Sequence, residues 1–214
     1  MLAACSSGGE LPERAPDLGP PAPTNEPGTL RLPFLVDDYF VPNGCFGDAN
    51  CGGNLLDIDS RACRNRVPTA QSVCRRFRYT PLPMAAPGWA GYLGLLFQDV
   101  GPGGEVEIGR VAGLPVEPGA KRVTFWAAVG SGTLKASFRA GGANNWEGKT
   151  DPSLPYKDDF GVEVIVTLDA RFQQIEIDLT GISYDDVVSP FGWSISSNGR
   201  VEPIDLFIDD LRWE

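Results

Sequence analysis

The stretch Leu134-Lys135-Ala136-Ser137-Phe138-Arg139-Ala140 alternates apolar and polar residues without a break. In an extended backbone, successive side chains point to opposite faces. The segment therefore reads as a half-buried β-strand with Leu134, Ala136, Phe138 and Ala140 on its dry side. Outward along the chain, Ile175-Glu176-Ile177-Asp178-Leu179 repeats the pattern, and Val162-Glu163-Val164-Ile165-Val166-Thr167-Leu168 nearly does. Further strands are predicted over Leu32–Val36, Arg75–Thr80, Trp89–Phe97, Glu105–Arg110, Arg122–Val129, Phe191–Ser196 and Leu206–Trp213. No window has the spacing of an amphipathic helix. The 26 glycines and 19 prolines punctuate the strands at intervals suited to a sandwich or barrel. The expected fold is all-β: two antiparallel sheets, each burying one face against the other.

Composition narrows what such a fold does. At 214 residues and 42% hydrophobic, the chain suits one domain with a tail. A formal net charge of −10 argues against non-specific nucleic-acid binding and against electrostatic docking on anionic lipid. The absence of histidine removes the usual general base, the Ser-His-Asp and Cys-His nucleophile systems, and the commonest metal ligand. Four of the five cysteines, Cys45, Cys51, Cys63 and Cys74, lie close together without a C-x-x-C pair. They read as two disulfides formed in an oxidising compartment. Three connectivities are open, of which the short loops Cys45–Cys51 and Cys63–Cys74 are favoured.

The fifth cysteine stands apart. Leu2-Ala3-Ala4-Cys5 resembles a bacterial lipobox, and residues 1–5 are read as its remnant. The resemblance implies a diacylglycerol on Cys5 and a lipid-anchored, exported protein of the cell envelope, at the outer membrane or cell surface. Residues 6–31 carry Pro12, Pro16, Pro20, Pro21, Pro23 and Pro27 among Gly, Ser and charged residues. This composition makes a solvated, disordered tether, spanning roughly 3.1 Å per residue where it is stretched as polyproline II. The folded domain is placed at residues 32–214.

Several stretches in that domain carry a family resemblance. "KRVTFWAAVGSGTLKASFRAGG", "FQQIEIDLTG", "PFGWSIS" and the closing "LFIDDLRWE" resemble the jelly-roll carbohydrate-binding modules of the galactose-binding-like superfamily, as found in secreted bacterial lipoproteins. "DDYFVPNGCFGD", "CRRFRYTP" and "GWAGYLGLLFQ" look like the front half of the same domain. The resemblance implies a jelly-roll sandwich, often with structural calcium, and a poly- or oligosaccharide held on one sheet or at a loop end. Nucleic acid is not an expected partner. The membrane is met only through the lipid, and the chain is expected to be a monomer.

Sugars present C–H faces and hydroxyls, so candidate contacts are flat aromatics beside polar side chains. Alternation puts Trp126 opposite to Val123, Phe125 and Ala127. Lys135, Ser137 and Arg139 point away from the apolar face of the next strand. Trp126, Lys135 and Arg139 are therefore expected on a solvated face. Trp146 in the loop Gly141–Glu147, with Tyr92 and Tyr156, completes the expected ligand-binding set, while Trp193 and Trp213 are assigned to the core. For calcium, which takes about six to eight oxygens, Asp209 and Asp210 on the last strand are paired with Asp37 and Asp38 near the first. The segment Asp48–Asp59 also resembles an EF-hand loop, but with Gly52 at its fifth position, Asp59 in place of Glu at its twelfth and no helical flanks it reads better as an Asx- and Gly-rich turn stapled by a disulfide. Glu176 and Asp178 resemble part of the E-x-D-x-x-E signature of laminarinase-type glycosidases, but Gly181 stands where the third acid belongs. The expected function is therefore glycan binding without catalysis. A structural or protein-contacting lipoprotein is the alternative, and a carboxylate-based hydrolase comes third.

Overall fold

The structure is a computed structural model. It describes residues 28–47, 55–57, 63, 74–82, 89–96, 112–145 and 150–214, with the backbone alone at 41–47, 55–57 and 89–96. Among these residues the chain forms thirteen strands and a single 3₁₀ turn at Val36–Asp38. The first five strands are β1 (Phe34–Leu35), β2 (Phe40–Gly47), β3 (Leu55–Asp57), β4 (Arg75–Tyr79) and β5 (Trp89–Leu96). Next come β6 (Leu114–Pro115), β7 (Arg122–Val129), β8 (Leu134–Gly141) and β9 (Gly161–Leu168). The last four are β10 (Gln173–Asp178), β11 (Asp186–Val187), β12 (Gly192–Ser196) and β13 (Ile204–Trp213).

These strands build the expected jelly-roll sandwich. A six-stranded sheet runs β10-β7-β13-β4-β3, with β1 also paired to β13, and a five-stranded sheet runs β2-β5-β12-β8-β9. The chain crosses between the sheets from β7 to β8, returns from β9 to β10, and crosses again from β12 to β13. All pairs within the two sheets are antiparallel. A small pair, β6 with β11, closes one end.

Alternation in the sequence becomes the core. Val123, Phe125, Ala127 and Val129 of β7 face Leu134, Ala136, Phe138 and Ala140 of β8 across the sandwich, and all are buried. The rings of Phe125 and Phe138 lie 4.7 Å apart, and Phe191 packs edge-on to Phe125 at 4.8 Å. Aromatic contacts of this kind join the sheets over and above the area they remove from water. Trp193 and Trp213 are 1% and 0% exposed, as assigned from the sequence. Trp193 meets Phe77 from the opposite sheet, and the Trp213 indole N–H donates to the Pro190 carbonyl at 3.0 Å. Cys63 and Cys74 form a disulfide, one of the two short loops favoured above. Cys5, Cys51 and the Glu105–Arg110 strand lie outside the described residues, as does the tether as far as residue 27. The packed chain begins slightly before residue 32. Leu30 is buried, its N–H donates to the Pro115 carbonyl, and it bridges to Val116.

The end of β8 is shaped by backbone conformation. Gly141 has φ +73°, and a Cβ there would stand 2.5 Å from the Phe160 carbonyl oxygen. Only glycine meets both requirements without strain. Beyond it, the buried carboxylate of Asp158 ties two other chain segments to its own. It accepts from the backbone N–H of Ala143, Val188 and Ser189 at 2.9, 2.8 and 3.2 Å.

Candidate functional site

The first finding at the site is a separation. Trp126 and the pair Lys135 and Arg139 do not share a face. β7 belongs to the six-stranded sheet and β8 to the five-stranded one, so their outward sides lie on opposite sides of the sandwich. Each residue does point away from the core, as alternation requires. The turn at residues 130–133, however, carries the chain around a corner instead of folding a hairpin within one sheet. The single platform expected from the sequence is thereby replaced by two separate faces.

On the five-stranded sheet, the register sets three rows across the outward face. Gly192, Arg139 and Glu163 form one, and Ser194, Ser137 and Ile165 the next. Lys135 and Thr167 are paired in the third, which lies toward the end where Ser196 closes β12. Ser137 donates to the Glu163 carboxylate. Arg139 is only 9% exposed, and burial pulls its guanidinium below its ordinary pKa while the charge of Glu163 opposes that fall. Ile165 is 54% exposed, an apolar side chain among hydroxyls. The register continues into β5, with Gly91 opposite Ser194, Trp89 opposite Ser196 and Tyr92 opposite Trp193. The side chain of Tyr92 and the whole of Trp146 lie outside what is described. Tyr156 is 41% exposed in the excursion between β8 and β9. That excursion is braced by Asn144, whose amide donates to the carbonyls of Asp151, Leu154 and Tyr156 and whose oxygen accepts from the Asp151 N–H.

On the six-stranded sheet, Trp126 is half-buried between Gln174 of β10 and Asp209 of β13. Two residues further along the same side, Ala128 pairs with Phe207. Phe207 is a partly exposed aromatic that the sequence reading passed over. A signal for it exists: Leu206 and Ile208 are both buried, so Phe207 must face outward.

The four aspartates proposed for calcium do not fit as a cage. Asp37 pairs with Arg75 at 2.5 Å and Asp210 with Arg212 at 2.8 Å. Asp209 is fully buried, while Asp38 is exposed. Among the described residues, no group of three or more acidic or cysteine side chains is placed to hold a metal ion. Most of the EF-hand-like segment lies outside those residues. Glu176 and Asp178 are both exposed on β10, an edge strand. Glu176 faces Arg122 at 3.5 Å. Hydrogen bonds from Thr180 hold the Asp178 carboxyl below its usual range.

No protein-family model matches the chain. No curated protein matches it either. Among solved structures it is similar to the module TmCBM61 in complex with β-1,4-galactotriose, at 14% identity over 79% of this chain and 86% of that one, with a TM-score of 0.40. It is also similar to a family 11 carbohydrate-binding module from Clostridium thermocellum in complex with a β-1,3-1,4-mixed-linked tetrasaccharide, at 12% identity over 81% of this chain and 95% of that one, with a TM-score of 0.37. A third is CBM28, a carbohydrate-binding module specific for non-crystalline cellulose, at 11% identity over 75% and 87% of the two chains, with a TM-score of 0.32. At these identities and scores, the likeness transfers neither a ligand nor a site.

Proposed function

We propose that this sandwich is a non-catalytic carbohydrate-binding domain that holds a poly- or oligosaccharide on the outward face of its five-stranded sheet. The supporting observation is the chemistry of that face. Ser137, Ser194, Ser196 and Thr167 spread hydroxyls over neighbouring strands, with Lys135 and the Arg139–Glu163 pair beside them and exposed Ile165 in their midst. Strands about 4.8 Å apart present these groups as a regular hydrogen-bonding surface. A sugar chain offers the complement, hydroxyls for the polar rows and C–H faces for Ile165. Small side chains across the centre leave room for the chain to lie flat.

Retention in gels containing soluble polysaccharides tests the proposal. Wild-type protein is expected to be retarded by at least one polysaccharide. A Lys135→Ala/Ile165→Ala double variant, melting as the wild type does, should lose on the order of tenfold in affinity. No retardation across a broad panel would leave the structural or protein-contacting reading in its place. Release of reducing sugar that disappears in Glu176→Gln would turn the reading to hydrolysis. The location belongs to the same proposal: a domain exported to an oxidising compartment and tethered through lipid on Cys5. The Cys63–Cys74 disulfide supports the compartment. Incorporation of labelled fatty acid into the expressed chain, lost in Cys5→Ser, tests the anchor.

A further inference from the structure

The other side of the sandwich carries a feature that the proposed saccharide face does not use. A groove of about 410 Å³ opens on the outward side of the six-stranded sheet, lined by Phe172, Phe207, Ala128, Arg76 and Asp205 among others. Its volume lies in the range of small-ligand pockets, about 300–1,000 Å³. The space exists because Ala128 contributes only a methyl group where two neighbours contribute rings. Phe207 is its direct partner on β13, and Phe172 immediately precedes Gln173, which pairs with Ala127. The two rings stand 6.4 Å apart at 60°. Both are only partly buried, on a sheet face where polar side chains are the norm.

The polar end of the groove carries an imbalance of charge. Asp205 accepts from Arg78 through Nε at 2.8 Å and Nη2 at 2.9 Å, and from Arg76 Nη2 at 2.8 Å. One carboxylate thus serves two guanidiniums. The nearby Asp169–Arg171 pair is neutral within itself, at 2.9 Å. Among the described residues, this corner therefore carries one surplus positive charge, in a chain whose net charge is −10. A wholly apolar ligand would leave that charge unmatched, and an uncharged sugar would use only the rings. A ring with C–H faces and a carboxylate on its edge satisfies both ends of the groove.

We propose that the groove between Phe172 and Phe207 is a second binding site, for a carboxylated sugar ring of an acidic polysaccharide. The ring lies against the phenylalanines, and its carboxylate faces Arg76, whose partner Asp205 is shared with Arg78. Trp126, two residues from Ala128 on the same side, extends the apolar surface for a neighbouring sugar.

Titration calorimetry with trigalacturonate, set against uncharged galactotriose, tests this. Trigalacturonate is expected to bind the wild type and to weaken several-fold as salt is raised, because its partner charges are solvent-accessible. Ala128→Leu fills the groove and should reduce trigalacturonate affinity by about tenfold or more. Lys135→Ala/Ile165→Ala, on the opposite sheet, should leave trigalacturonate binding as it was, so the two sites stand or fall separately. If Ala128→Leu does not melt as the wild type does, Phe172→Ser replaces it, with the same loss expected. Trigalacturonate that fails to bind, binds the groove-filled variant as tightly as the wild type, or is matched by galactotriose in an Ala128-dependent way would overturn the proposal.

Discussion

Asp158 makes the stability of this domain depend on pH in an unusual direction. Its carboxyl is 0% exposed, and among the described residues its side chain is held only by the three backbone donors named above. Burial raises its pKa from an ordinary 3.8 to about 7, against the opposing pull of those N–H groups. A raised folded pKa means that the folded protein binds the proton more tightly than the unfolded chain. The resulting stability is complete below the unfolded pKa and is lost as pH rises through the folded one. A difference of about three pKa units at about 1.36 kcal/mol each gives on the order of 4 kcal/mol in full. Roughly 2 kcal/mol of that falls between about pH 8 and about pH 5.5. For a domain of this size it should move the melting midpoint by about 4–8 °C, upward on acidification. The window is open because the chain has no histidine. Asp169, Asp178 and Glu214 are held below their ordinary values by their hydrogen-bonding partners, so their contributions are lost only at more acidic pH. Thermal melting across this range, for wild type and Asp158→Asn, is the assay. The wild-type midpoint should fall as pH rises, and the variant, with no proton to gain, should give a flat profile. A wild-type midpoint that stays level or climbs toward pH 8 would refute the reasoning, because it would mean that the three amide donors outweigh the cost of burial.

Two further outcomes follow from the core and its corners. Phe138→Ala removes a ring that is 0% exposed and lies 4.7 Å from Phe125, so urea unfolding should show a loss of about 3–5 kcal/mol; a loss under about 1 kcal/mol would mean the two sheets do not meet there. Gly141→Ala forces a side chain into left-handed backbone and against the Phe160 carbonyl, and should lower stability by about 2 kcal/mol or more by the same measurement. An Ala variant as stable as wild type would show that the turn after β8 is not built as described.

The sequence by itself determined the strands and their inward sides. Alternation is local: Leu134, Ala136 and Phe138 must share a face whatever the rest of the chain does, and apolar side chains leave water. The same rule placed Trp193 and Trp213 inside and sent Trp126, Lys135 and Arg139 outward. It was silent where local pattern fails. Strand β2 runs through Pro42, Asn43 and Gly44, residues that advertise a turn, yet it pairs with β5 across a register shift at the sheet edge.

Only the tertiary structure decided which outward residues are neighbours. Consecutive strands β7 and β8 joined different sheets, so Trp126 was separated from Lys135 and Arg139 by the thickness of the core. Glu163 came from β9 to stand beside Arg139, while Arg76, Ala128, Phe172 and Phe207 converged from four segments of chain. Arg75 and Arg212 reached aspartates that had looked like metal ligands. Such groupings depend on contacts between residues remote in sequence, which are set when sheets pair and pack and which leave no periodicity behind.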